Sequence, residues 1–203
     1  YKVEFVGHPL IDAIQNRTIL NEIEFRKENN LSDKPIIAIL PGSRKQEITK
    51  MLSVMLSVAA DFPEYQFVIA GAPSQEYSFY STFLISNNCH FISNKTYDLL
   101  SVSYAALVTS GTATLETALF KVPQVVCYKT STISYHIARS LVDLEYMSLV
   151  NLIMDRPVVA EFLQDDFTLE NLIPELADIM GPKRAKILAD YDELINKSTL
   201  SRE

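Results

Sequence analysis

The sequence predicts an α/β chain, a Rossmann-like doubly wound parallel sheet closed by a helical C-terminal tail. Three observations predict it. Short β-branched apolar runs recur through the first two thirds of the chain, a segment of helical period separates the first two, and single glycines sit at two run-to-helix junctions. The runs are Ile36-Ile37-Ala38-Ile39-Leu40, Gln66-Phe67-Val68-Ile69-Ala70, His90-Phe91-Ile92, Ala105-Ala106-Leu107-Val108 and Gln124-Val125-Val126-Cys127-Tyr128. Their near-continuous apolar character, without polar alternation, is that of parallel strands buried on both faces. Between the first two, Ile48, Met51, Leu52, Met55, Leu56 and Ala59 follow the spacing of one apolar helix stripe. That makes a βαβ unit, and its repetition predicts helices on both faces of the sheet.

Past about residue 150 the strand signal stops. Phe162, Leu163, Leu169, Leu172, Ile173, Leu176 and Ile179 recur at helical intervals, Gly181-Pro182 interrupts them, and Ile187, Leu188, Tyr191, Leu194 and Ile195 mark one side of a last helix. The expected organisation is a single nucleotide-binding domain: a lead-in over about 1–35, a Rossmann-like core over about 36–151 and a helical tail over about 152–203. Tyr1, which is not a methionine and sits in what reads as the middle of a strand, suggests a further domain upstream.

Composition narrows the function classes. With 203 residues, 48% of them hydrophobic and 21% charged, the chain can bury a substantial core. No run reaches the roughly 18 apolar residues of a membrane span, and Tyr1 to Val6 lack the basic start of a signal peptide, so the chain is expected to work in water. A net charge of -7 argues against a nucleic-acid partner and against a general attraction to anionic membranes. Cys89 and Cys127 are isolated, form no metal-binding pair, and read as structural thiols of a reducing cytoplasm.

Two junctions carry the candidate chemistry. Leu40-Pro41-Gly42-Ser43-Arg44 runs from a strand into the striped helix; Gly42 permits close approach of the backbone, Ser43 can cap the helix or bind an oxygen, and Arg44 offers a planar fork to phosphate oxygens. Pro-Gly-Ser is also a common turn, and a solvated Arg44 needs no ligand. At Val108-Thr109-Ser110-Gly111-Thr112-Ala113-Thr114-Leu115-Glu116 a strand again passes through one glycine into a helix, whose free amides make an anion site. There Gly111 would admit a diphosphate, the hydroxyls of Ser110, Thr112 and Thr114 add hydrogen bonds, and Glu116 can accept from vicinal ribose hydroxyls. Glu116 could equally complement the helix dipole without any ligand.

These two segments, with Gly7-His8-Pro9-Leu10, Ser148-Leu149-Val150-Asn151-Leu152 and Glu161-Phe162-Leu163-Gln164-Asp165, occur in the order and spacing of the lipid-A-disaccharide synthase family, which the chain resembles over about residues 3 to 195. The resemblance implies the C-terminal domain of a GT-B glycosyltransferase. The family transfers 2,3-diacylglucosamine from its UDP derivative to 2,3-diacylglucosamine 1-phosphate with release of UDP. Carried over, it places Gly42, Ser43, Arg44, Ser110, Gly111, Thr112, Thr114 and Glu116 at the nucleotide and adds Asn151 and Gln164, although Asn151 also suits a turn or cap and Gln164 the surface. Val150 departs from the proline of many relatives. The general base, the lipid acceptor site and any peripheral contact with the inner membrane are expected in an N-terminal domain, so this chain alone is expected to be inactive. A homodimer is compatible with the resemblance, but the chain ends about where the family's last helix, which carries dimer contacts, would begin.

No cofactor is implied. Asp143-Leu144-Glu145, the one string like Asp-x-Asp, reads as a solvated helix end rather than a metal site, and the start of the Gly111 helix with Arg44 can stabilise a departing UDP in its place. His8, His90 and His136 read as structural, and no nucleophile elbow appears. Two other readings stay open: another UDP-sugar enzyme of the same architecture, such as a UDP-sugar epimerase, or a non-catalytic nucleotide-binding module.

Overall fold

The computed structural model describes residues 14, 20–84, 86–130 and 145–200. In chain order its elements are α1 (Glu22–Glu28), β1 (Ile36–Leu40), α2 (Lys45–Ser57), β2 (Gln66–Gly71), α3 (Tyr77–Ser81), β3 (Cys89–Ser93), α4 (Thr96–Val102), β4 (Ser103–Thr109), α5 (Thr112–Leu119), β5 (Gln124–Tyr128), α6 (Leu149–Met154), β6 (Glu161–Leu163), α7 (Leu169–Met180) and α8 (Arg184–Leu200). All strand pairings are parallel, and the sheet order is β3-β2-β1-β4-β5-β6. The five expected strands are present. A sixth corrects the expectation that strands stop near residue 150: Glu161–Leu163 pairs with the edge of β5 through Val126↔Glu161.

Alternate residues of β1, β2 and β4 serve opposite cores, as the two-residue period of a strand dictates. Ile37, Ile39, Phe67, Ile69, Leu107 and Val125 pack with Ile48, Met51, Leu52 and Met55 of α2 and with Leu172, Leu176 and Ile179 of α7. Ile36, Ala38, Leu40, Val68, Ala106 and Val108 pack instead with Leu99 and Leu100 of α4 and with Phe25 of α1. Covering both faces leaves the strand ends as the place where loops meet solvent.

The C-terminal helices are tied to this sheet by specific polar contacts. Tyr104 on β4 donates from its hydroxyl to Met180 O at 3.1 Å, and Arg184 donates to Tyr104 O at 2.7 Å while its guanidinium stands 3.8 Å from the Tyr104 ring centre. Fully buried Tyr191 on α8 accepts from Gln124 Nε2 at 3.2 Å. Arg156, in the turn after α6, reaches Asp190 at 3.0 Å and Glu193 at 2.7 Å. Burial pushes the Asp190 carboxyl up, but hydrogen bonds and charge from Arg156 and Lys186 outweigh it and hold Asp190 below its ordinary value. A depressed folded value means that the unfolded chain binds the proton first as pH falls. The stabilisation is therefore present above about pH 4, the unfolded carboxylate value, and is lost as pH falls through the folded one. Asp190→Asn is expected to flatten this acid limb, as read from denaturant midpoints of both proteins between pH 6 and pH 3.

Both cysteines are buried free thiols; burial pushes Cys89 up to about 11 and Cys127 higher still, so neither is a nucleophile at neutral pH. Among the described residues, no helix is long and apolar enough to cross a membrane.

Candidate functional site

In a sheet of this order the succession of strands reverses between β1 and β4, and the loops leaving these two parallel strands diverge around a crevice at their C-terminal ends. Those loops are Pro41 to Arg44 and Ser110-Gly111. They line one cavity of about 460 Å³, walled by Gly42, Ser43, Arg44, Glu47, Thr109, Ser110, Gly111, Thr112, Ala113, Tyr128 and Met147. Two stretches nearly seventy residues apart thus face each other across a single space.

Each loop needs its glycine. Gly42 has φ +90°, and a Cβ there would stand 3.0 Å from Thr109 Cγ2, so the first loop lies directly on the end of β4. Gly111 has φ +129° and ψ -160°, a region almost closed to other residues, and among the described residues beyond its chain neighbours a Cβ there would meet no atom within 4 Å. Both helices start without a side-chain cap: the N-cap of α2 is Arg44, not Ser43, and that of α5 is Gly111, and neither supplies a side-chain acceptor. Glu47 N and Thr114 N turn back to Arg44 O and Gly111 O, so it is the first two amides of each helix that are open to an anion, and both helix dipoles present their positive ends at the cavity.

The Arg44 guanidinium contacts Glu47 at 3.1 Å, but its side chain is 79% exposed. The Glu47 side chain is only 17% exposed, but with the guanidinium itself largely in water the contact adds little, so a phosphate can replace Glu47 as its partner. Glu116, one turn into α5, walls neither this cavity nor the next but accepts at 2.9 Å from the hydroxyl of Tyr97, which lines a second cavity with Pro73, Asn94, Lys95, Thr96 and Asp98.

Other residues predicted for the site are placed differently. Ser110 lines the cavity, but its Oγ donates to Met147 O at 2.8 Å. Thr114 is fully buried; its hydroxyl donates to Gly111 O at 2.8 Å and accepts from Leu149 N at 3.2 Å, so it braces the loop instead of facing the cavity. Asn151 is 1% exposed and lies within α6, not at a strand end. Its Oδ1 accepts from Val158 N at 2.8 Å and Val159 N at 3.0 Å, and its Nδ2 donates to Val159 O at 2.9 Å and Glu161 Oε1 at 2.8 Å. An amide so fully engaged has no group left for a ligand. Gln164 follows β6 with φ 52°; its Oε1 accepts from Thr130 N at 3.2 Å, while its buried Nε2 has no partner.

Tyr128 and Met147 are cavity residues that no sequence pattern singled out, since a tyrosine closing an apolar strand and a methionine ahead of a capped helix carry no motif. Ser148, buried, is that cap and accepts from Asn151 N at 3.2 Å. Half-buried His90 lies in β3 and burial lowers its pKa, in keeping with a structural place. Gly7-His8-Pro9-Leu10, His136 and Asp143-Leu144 lie outside the described residues. Among those described, no three His, Cys, Asp or Glu side chains are grouped to hold a metal ion.

A family model for lipid-A-disaccharide synthetase matches residues 1–201. The lipid-A-disaccharide synthase of Syntrophus aciditrophicus is 36% identical over 196 residues, covering 93% of this chain and 51% of that protein. The Coxiella burnetii (strain Dugway 5J108-111) synthase is 37% identical over 184 residues, covering 88% and 48%. The chain thus spans about half the length of the curated relatives it matches. Among solved structures, the UDP-GlcNAc 2-epimerase from Neisseria meningitidis bound to UDP-GlcNAc aligns with TM-score 0.60 at 19% identity, over 96% of this chain and 53% of that one. WaaG, a glycosyltransferase involved in lipopolysaccharide biosynthesis, aligns with TM-score 0.55 at 15% identity, over 88% and 47%. At such identities the likeness is one of fold, the Rossmann-like α/β architecture that GT-B glycosyltransferases and epimerases share.

Proposed function

The chain belongs to the lipid-A-disaccharide synthetase family, and we propose that it is the UDP-binding half of a lipid-A-disaccharide synthase. The whole enzyme would transfer 2,3-diacylglucosamine from its UDP derivative to 2,3-diacylglucosamine 1-phosphate and release UDP. One observation carries the assignment: the Arg44 loop and the Gly111 loop line a single cavity at the switch point of the sheet, with two uncapped helix starts facing it. As an acceptor oxygen bonds to the anomeric carbon and the bond from that carbon to the β-phosphate oxygen breaks, the electron pair leaves with UDP and charge builds on its β-phosphate. Fixed amides at Gly111 and Thr112 and the guanidinium of Arg44 would stabilise that charge without reorganisation. Glu116 would receive the ribose hydroxyls, and the cavity beyond Tyr97 would take the base. In this reading the lipid acceptor, the general base and any peripheral contact with the cytoplasmic face of the inner membrane belong to the part of the relatives' length that this chain does not span.

Calorimetric titration with UDP, ADP and GDP tests the reading. UDP is expected to bind in preference to both purine nucleotides, and Glu116→Ala and Arg44→Ala are each expected to weaken it roughly tenfold or more, the scale of a hydrogen bond to a charged group at about 1.5–3 kcal/mol. Equal affinity for the three nucleotides counts against it.

A further inference from the structure

We propose that Glu161 is a positioning residue for this pocket, clamping the Met147–Ser148 wall in place; the inference rests on the nucleotide reading above. Glu161 opens the edge strand β6. Its carboxylate accepts three hydrogen bonds, from Met147 N at 2.8 Å, Ser148 N at 2.9 Å and Asn151 Nδ2 at 2.8 Å. On its other side the same segment is held by the glycine loop: Met147 O accepts from Ser110 Oγ at 2.8 Å and Leu149 N donates to Thr114 Oγ1 at 3.2 Å. Met147 lines the cavity together with Ser110 and Gly111. The segment therefore joins β6 to the start of α5, and Glu161 supplies both acceptors on one side of the joint.

A carboxylate suits this place because it is acceptor-only, and backbone N–H groups facing an ionised acceptor make strong bonds. Such bonds fix the wall before ligand arrives, so its ordering does not have to be supplied by binding. Glutamine is nearly isosteric but would turn an NH2 group toward at least one of these N–H donors. The effect of Glu161→Gln should thus appear at the cavity and not only in overall stability.

The test combines amide hydrogen exchange with UDP titration of the whole chain. In Glu161→Gln, exchange at Met147 and Ser148 is expected to rise tenfold or more and UDP affinity to fall about tenfold. Tyr104→Phe, which removes the Met180 contact far from the cavity, is expected to lower the melting temperature and leave UDP affinity unchanged. Should Glu161→Gln not fold, Glu161→Asp, one methylene short of the same amides, is expected to show the same two changes in milder form. Unchanged exchange at Met147 and Ser148, or raised exchange with unchanged UDP affinity, overturns the proposal. A wild-type chain that fails to bind UDP while Glu161→Gln still raises exchange at these amides overturns the nucleotide reading itself, and the positioning role with it.

Discussion

Gly111→Val is expected to abolish measurable UDP binding while the chain stays folded. The backbone at Gly111, with φ +129° and ψ -160°, disfavours any side chain by about 1–3 kcal/mol, which a domain of this size can absorb. Among the described residues beyond its chain neighbours, no atom lies within 4 Å of a Cβ built there, so a side chain has room to enter the space that Gly111 lines. A diphosphate would then be kept from the first amides of α5. Loss of two bonds to a charged ligand, at about 1.5–3 kcal/mol each, corresponds to a factor of roughly a hundred or more in affinity. Calorimetry with UDP and a thermal melt of the same sample separate the two effects. Gly42→Val gives the contrast, since its Cβ would stand 3.0 Å from Thr109 Cγ2 and packing would suffer along with binding.

Asn151→Leu is expected to cause the largest loss of stability, about 3–5 kcal/mol. Leucine keeps the branched skeleton but is bulkier, and it leaves Val158 N and Val159 N without acceptors, Val159 O without its donor and Glu161 with two donors in place of three, in a place where water scarcely reaches. Each such buried group costs about 1–3 kcal/mol, and partial relaxation keeps the sum below the simple total. For a domain of about 200 residues this corresponds to a fall in melting temperature of roughly 10 °C. Asn151→Asp keeps the two acceptor contacts but removes both donors and sets a second carboxylate against Glu161, so it should be no milder. Thermal and denaturant unfolding check both variants.

What could be read from the sequence follows from how local each signal is. The five apolar strands stand out because burial on both faces leaves no polar interruption, as in Ile36–Leu40, where every residue is buried. The strand Glu161–Leu163 escapes notice because it has three half-buried residues, begins with a glutamate, and places Phe162 and Leu163 where they also fit the period of the helix that follows. At the site, Gly42, Arg44, Gly111 and Thr112 are legible since strand, glycine and helix follow one another within a few residues. Hydroxyls and amides are harder: Ser110, Thr114 and Asn151 look the same in sequence whether they face a ligand or a neighbour. Their partners at Met147, Leu149, Val158 and Glu161 are set by the fold, 37 and 35 residues away for Ser110 and Thr114. The resemblance flagged the Glu161 segment without giving that residue a task, because its task exists only once β6 lies beside the Met147 loop.

The most direct measurement follows the backbone amide signals of Gly42 and Gly111 by NMR as UDP is added. If one diphosphate lies between the two loops, both signals move together and saturate on a single binding curve, and in Arg44→Ala both move together on a curve shifted to roughly tenfold higher UDP or more. Movement of one glycine without the other, or two curves with different midpoints, would mean that the loops do not share a ligand.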